Sequence, residues 1–294
     1  MRKVKVEHID AFSSIPEKGN PAGVVLNGED YTSEQMLEIA KKAGFNETAF
    51  ILPSQRADIR LRYFTPGVEM NLCGHATLGA VYCLHMKGLL EQPTITIETN
   101  AGILPIMLRE ENGQIFITMQ QALPKFHAFG GSKADAAKAI GLKEVELDDD
   151  LPIIYGNTGN WTLIVPIKKL ESFKSMEPDT ESFPDVLNEI PSASVHPICL
   201  EVRDADNHMH ARHFSAPASG TIEDAVTGTA SAVMGAYYHQ FIHPSLPLPA
   251  TLKVEQGHEI NKDGQVFVHL KQINDGIEVS ISGTAVYVKT IEIA

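Results

Sequence analysis

The chain repeats itself once, and this internal duplication constrains its fold more than any other feature. In the first half "RYFTP" at 62–66 leads to "CGHATLGAVY" at 73–82, "ETNAG" at 98–102 and "ENGQIFITM" at 111–119. In the second half "RHFSA" at 212–216 leads to "DAVTGTASAVMGAYY" at 224–238, "EQGHE" at 255–259 and "KDGQVFVHL" at 262–270. "GNPAGVVL" at 19–26 likewise has a counterpart in "GNWTLIVP" at 159–166, so the order of matching segments is preserved. Two like-folded domains follow, and 294 residues is the length expected of two. Pro124, Gly130 and Gly131 punctuate the chain after the Ile115–Met119 strand signal, which predicts domains at 1–123 and 124–283 with no low-complexity linker.

Strands dominate. "ADIRLRYF", "TITIET", "QIFITM", "TLIVP", "QVFVHL" and "IEVSISGTAVYV" are rich in β-branched and aromatic residues. "TSEQMLEIAKKAG" predicts a helix opened by a Thr32–Gln35 capping box and closed at Gly44, and "SKADAAKAIG" one closed at Gly141. The runs His75–Met86 and Thr229–Tyr238 are apolar on every face, whereas a surface helix would carry a polar stripe. Each is therefore expected to be buried inside its own domain. The fold class is α+β: two similar domains, each a mostly antiparallel sheet or barrel around a central helix. The unpaired N–H groups at helix starts near Gly74 and Gly228 carry partial positive charge, so an anionic ligand between the domains would satisfy both.

Composition removes several functions. A formal charge of -13 and the lack of a Lys/Arg cluster argue against nucleic acid as a partner. "MRKVKVEHIDAF" alternates charged and apolar residues like a strand and lacks the apolar core of a secretory signal, and no later run approaches a membrane span. Cys73, Cys83 and Cys199 fit neither a disulfide framework nor a Cys-x-x-Cys metal pair. A cytoplasmic protein with no membrane association is the expectation, with Cys83 and Cys199 structural. The acidic "ELDDDLP" at 146–152 reads as a solvated turn.

The residues able to carry chemistry lie near the two helix starts. Strand alternation puts Glu47 on one face with Phe45, Ala49 and Ile51, where desolvation would raise its pKa toward that of a useful acid/base. A glutamate on an exposed edge strand fits the same pattern. His75 is either a donor to a developing enolate, kept neutral by the helix start, or a satisfied, partly buried histidine. Asp224 is able to cap the second helix, and capping does not exclude catalysis; only one of Glu223 and Asp224 need face a ligand. A helix start favours a thiolate at Cys73, but the matching position is Thr227, whose hydroxyl is far too weak an acid to act as a second thiol. His208, His210 and His213 invite a metal, yet in a strand the third points away from the first two, so no metal is expected there.

"DAF", "GNPAGVV", "NETAF", "RYFTPGVEMNLCGHATLGA" and "EDAVTGTASA" together resemble the PhzF family of phenazine-biosynthesis-like isomerases, related to diaminopimelate epimerase. The resemblance runs nearly end to end. It implies an active site in a cleft between the two domains, a last strand near 284–294 returned to the first domain, homodimers and no cofactor. Matched to the family motifs, Glu47 is the acid/base, with His75 and Asp224 completing the catalytic set. Asn20, Gly74, Thr227, Gly228 and Thr229 fall at substrate-binding positions. "QGHEINKDG" lacks the Met-Gly-Arg-Pro that follows Gln-Gly in many members, so reaction type carries over and phenazine synthesis does not. The resulting expectation is a cofactor-independent isomerase that moves a proton between carbons of a small carboxylated metabolite. The alternatives are an amino-acid racemase or epimerase using Cys73 and a non-enzymatic small-carboxylate-binding protein.

Overall fold

The computed structural model describes residues 3–90, 92–274 and 276–294. The chain divides into two compact units: the residues up to Gln120 with Ser282–Ala294, and Gln121–Ile281.

In the first unit β1 (Val4–Ala11) is flanked by β2 (Asn20–Val25) and by the C-terminal strand β17 (Ala285–Ile293), antiparallel to both. β2 pairs in parallel with β3 (Glu47–Leu52), and β3 runs antiparallel to β4 (Ile59–Phe64). The short β5 (Glu69–Met70) adds to β4, which also pairs in parallel with β6 (Thr94–Thr99); an antiparallel run through β7 (Gly102–Glu111) and β8 (Gln114–Gln120) follows. This sheet curls around α2 (Gly74–Met86), which packs on β1, β2, β3, β8 and β17. Contact with strands from both ends of the sheet explains why the helix has no polar stripe.

The outer side of β3 is covered by α1 (Ser33–Ala43), with a core of Val6, Val25, Met36, Ile39, Phe50 and Phe64. Phe50 and Phe64 meet edge to face at 5.5 Å, and truncating either to alanine should cost about 3–5 kcal/mol. The capping box forms as expected: Gln35 N–H donates to Thr32 Oγ1, and Thr32 N–H donates to Gln35 Oε1 at 2.9 Å. Gly44 closes α1 with φ 74°, the left-handed conformation that glycine adopts without a Cβ penalty.

The second unit repeats this plan. β9 (Lys125–Ala128), β10 (Ile154–Asn157) and β11 (Trp161–Pro166) are antiparallel neighbours. β11 pairs in parallel with β12 (Ser194–Cys199), β12 antiparallel with β13 (Met209–Ala211), and β13 in parallel with β14 (Ala250–Gln256). β15 (Gly264–Ile273) and β16 (Gly276–Gly283) complete it. The surface helices α3 (Lys133–Ala139) and α4 (Phe183–Val186) cover a core containing Tyr155, Phe173, Phe183 and Phe214. α3 stops at Ala139, short of the expected close at Gly141, whose positive φ of 76° falls in the turn that follows.

The central helix here is α5 (Gly228–Tyr237), packed on β10 and β15. Close approach explains its small residues: a Cβ at Gly156 of β10 would collide with Val233 of α5, and one at Gly235 with Val268 of β15.

The registers of the two units coincide. Ala22 faces Glu47 across β2 and β3, as Thr162 faces Ser194 across β11 and β12. Thr48 faces Phe64 as Val195 faces Phe214, and Arg60 faces Glu98 as His210 faces Glu255. The duplication read from the sequence is therefore a duplication of strand pairing.

Candidate active site

Strand parity carries Glu47, at the first position of β3, onto the face that packs against α2. Its Oε2 lies 3.3 Å from Nε2 of His75, and the side chain keeps 20% exposure, so it sits at the rim of the apolar face rather than within it. His75 is the second residue of α2, and its Nδ1 lies 3.5 Å from Sγ of Cys73, the N-cap. One ligand atom from each of Glu47, Cys73 and His75 falls within 4.8 Å of the other two, a geometry that could also hold a metal ion. Tyr63 OH meets Thr77 Oγ1 at 2.7 Å, and Thr77 Oγ1 donates to Cys73 O at 2.6 Å, which fixes the first turn.

The electrostatics differ from a neutral imidazole. Burial opposes charge on His75, but Cys73 and Glu47 outweigh it and hold the ring well above its ordinary value. Burial pushes the Cys73 thiol up, against the smaller opposing pull of His75. Cys73 therefore favours its thiol form, and its sulfur and the Glu47 side chain are the two partners that favour a charged imidazole. Both partners work against the neutral form that the helix start favours.

In the second unit Thr227 is the N-cap of α5, and its hydroxyl donates to Asp224 Oδ2 at 2.6 Å. Gln256, at the end of β14, ties this turn together: its Nε2 donates to Asp224 O at 2.8 Å, and its Oε1 accepts from Thr227 N–H at 3.1 Å. Gly228 and Thr229 are the first residues of α5, and Thr229 O accepts from Thr158 Oγ1 at 2.9 Å. Asn20 is buried at the start of β2. Gly74 opens α2, where an added Cβ would lie 3.8 Å from Met119 Cε, so packing alone does not require glycine there.

Glu223 and Asp224 take different roles. Glu223 is held by Arg212 through a two-bond fork at 2.9 and 2.6 Å, leaving Asp224 to the helix start. The first unit repeats the fork as Arg62 to Glu69, at 2.7 and 2.6 Å, and each arginine lies over the phenylalanine two residues on, Phe64 or Phe214. Each fork anchors the residue four positions before a helix N-cap. The forks and Gln256 escaped the sequence reading, although "RYF" beside "RHF", with a glutamate before each helix, was the available signal.

The three histidines of the "NHMHARH" segment part ways. His208 Nδ1 accepts from Lys253 N–H, His210 pairs with Glu255, and His213 meets His196, Nδ1 to Nδ1, at 3.1 Å. Burial holds His196 and His213 low, the latter at about 4.

By register the counterpart of Glu47 is Ser194, and by motif those of Cys73 and His75 are Thr227 and Thr229. The units are alike in fold and unlike in chemistry: one carries a carboxylate–imidazole–thiol cluster, the other an aspartate–threonine turn. At these matching positions only the first unit brings a carboxylate against an imidazole, the combination that acid/base chemistry uses.

Comparison with known proteins agrees. The family model described as phenazine biosynthesis-like protein matches residues 9–290. The chain is 50% identical to "Uncharacterized isomerase YfhB" of Bacillus subtilis (strain 168), covering 99% of this chain and 98% of that one. It is 29% identical to the trans-2,3-dihydro-3-hydroxyanthranilate isomerase of Pseudomonas aeruginosa, covering 94% and 95%. The crystal structure of the Bacillus anthracis phenazine biosynthesis protein, PhzF family, superposes with a TM-score of 0.98 at 54% identity over 100% of both chains. The chain belongs to the PhzF family of isomerases. This sets aside the reading as a non-enzymatic binder. Among the described residues no helix is long and apolar enough to cross a membrane.

Proposed function

We propose that this isomerase moves a proton between carbons of a small carboxylated metabolite, with Glu47 as the acid/base and without a cofactor. The observation that carries the proposal is the Glu47–His75 contact at 3.3 Å beside a thiol that burial keeps protonated. Glu47 takes a proton from one carbon and returns it to another. The His75 imidazolium next to it stabilises the enolate that develops between the two steps. Asp224 completes the catalytic set, its carboxylate oriented by Thr227 and its backbone by Gln256. Asn20, Gly74, Thr227, Gly228 and Thr229 are the proposed substrate-binding positions. The archetype of the substrate is a dihydro-hydroxyanthranilate-like ring, on which the Pseudomonas aeruginosa relative is named to act.

A racemase using Cys73 has less support, since the thiol is pushed up and its counterpart is Thr227. A cytoplasmic homodimer belongs to the same proposal, and light scattering on the purified chain checks the assembly. The function is tested by incubating the protein with trans-2,3-dihydro-3-hydroxyanthranilate and a panel of small cyclic carboxylates, following isomerisation by NMR. Conversion of at least one acid, lost in Glu47→Gln, supports the reading. Equal conversion by the variant refutes it.

A further inference from the structure

Gln256, which ties the Asp224–Thr227 turn to β14, is flanked along the chain by Glu255 and Glu259, and one imidazole meets both carboxylates. His210, on β13, is fully buried. Its Nδ1 lies 2.9 Å from Glu255 Oε1, and its Nε2 makes an ion-pair contact of 3.4 Å with Glu259 Oε1 in the turn His258–Ile260. The two glutamate side chains are only 2% and 5% exposed, so water does little to screen them. Glu255 also accepts from Arg203 N–H at 2.6 Å, Asp204 N–H at 3.1 Å and Asn207 Nδ2 at 2.6 Å, and Glu259 Oε1 lies 2.7 Å from Arg203 Nη2. The rings of Phe173 and His258 lie 4.7 and 5.5 Å from that of His210.

A neutral imidazole carries one N–H and would turn a lone pair toward one of the two carboxylates, so this arrangement calls for an N–H on both nitrogens. Burial opposes the charge, but Glu255 and Glu259 outweigh it and hold His210 above its ordinary value. Burial likewise opposes charge on the two carboxylates, yet the bonds to His210 and Arg203 hold both at about 2. Burial lowers His258, against the pull of Glu255 and Asp263. The duplication adds an independent observation. Arg60 faces Glu98 in the first unit as His210 faces Glu255 in the second, so one copy carries a permanent cation where the other carries a titratable one.

We propose that His210, as an imidazolium, is a positioning residue for the Asp224–Thr227 turn. By holding Glu255 and Glu259 together it fixes the chain on both sides of Gln256, whose side chain accepts from Thr227 N–H and donates to Asp224 O. Gly257 lies against the same turn, where an added Cβ would come 2.8 Å from Ala225 O. Loss of the His210 proton leaves two carboxylates facing one guanidinium and a lone pair, and the hold on Gln256 slackens. Because the folded value is raised, the hold is complete below the ordinary 6.5 and is lost as pH rises through the folded value. Its consequence for the reaction rests on the reading of Asp224 and Thr227 as site residues.

The test is an NMR titration of the nitrogen-labelled full chain through neutral and alkaline pH, following the His210 ring nitrogens, the Thr227 amide and the Gln256 side-chain amide. Both ring nitrogens should be protonated at neutral pH, and the Thr227 and Gln256 signals should move with the His210 midpoint. Glu259→Gln should lower that midpoint by about one pH unit or more for all three groups together, which a merely structural histidine would not do. His210→Gln should hold the Thr227 amide at its alkaline wild-type position at every pH, with circular dichroism verifying the fold. A neutral His210 at neutral pH, or Thr227 and Gln256 signals that ignore its titration in the wild type, would overturn the proposal. With trans-2,3-dihydro-3-hydroxyanthranilate as substrate, kcat should fall through the same midpoint. A flat kcat beside a titrating turn would leave the hold of His210 standing and count instead against Asp224 as a member of the catalytic set.

Discussion

Removing the arginine from each of the two forks should have unequal consequences, although the forks match bond for bond. Arg212 and Glu223 are only 8% and 10% exposed, and Arg212 Nη1 also donates to Phe173 O at 2.9 Å and Met176 O at 3.2 Å. Arg212→Met leaves a buried carboxylate without its partner and two carbonyls without a donor, at a cost of about 3–5 kcal/mol. Arg62 and Glu69 are 15% and 27% exposed, and Asn100 Nδ2 still donates to Glu69 at 3.0 Å, so water and Asn100 relieve the loss. Arg62→Met should cost about 1 kcal/mol. The assay is urea unfolding followed by fluorescence of Trp161, the sole tryptophan, which lies on β11 and reports on the second unit, with circular dichroism following the whole chain. The Trp161 midpoint should fall strongly for Arg212→Met and little for Arg62→Met. Equal costs, or a cost below about 1 kcal/mol for Arg212→Met, would show that burial does not set the worth of the fork.

Much of the fold was legible because it rests on periodicity. The Thr32 box, Gly44 and the apolar runs of α2 and α5 are local signals, and the duplication aligned residues that the strand registers also align. What escaped depends on partners far along the chain. Arg212 reaches Glu223 across eleven residues and Phe173 across thirty-nine, and the His196–His213 pair exists only because β12 and β13 are neighbours. Glu47 and His75 were both readable as candidates, but not their contact, which together with Cys73 favours the charged imidazole over the neutral one expected.

Three further outcomes follow. Cys73→Ser should retain most turnover and cost about 1 kcal/mol, and iodoacetamide should modify Cys73 slowly at neutral pH; rapid alkylation with loss of activity would revive the thiol mechanism. Gly74→Ala should fold normally, because its Cβ meets Met119 Cε at an ordinary 3.8 Å, yet weaken stabilisation by small carboxylates; unchanged affinity would remove Gly74 from the binding positions. His213 titrates at about 4 in the folded chain against 6.5 unfolded, so its contribution is whole above 6.5 and is lost as pH falls toward 4, reaching on the order of 3 kcal/mol. His210, whose pKa the fold raises against the opposing effect of burial, changes in the opposite sense, so the measurement is the difference between wild type and His213→Gln. The variant's Trp161 midpoint should fall less between neutral and mildly acidic pH, and parallel curves would contradict the shift.

The most direct test of Glu47 as the group that moves a carbon-bound proton is deuterium exchange. Wild type and Glu47→Gln are placed in D₂O with the acid that stabilises the protein most, and deuterium at the substrate carbons is followed by NMR. Because the Glu47 side chain keeps 20% exposure, the proton it holds exchanges with solvent before it is returned, and wild type should place deuterium at the accepting carbon. In Glu47→Gln incorporation should slow by at least about 10²-fold while the thermal stabilisation by ligand is kept. Incorporation by Glu47→Gln at the wild-type rate would contradict it.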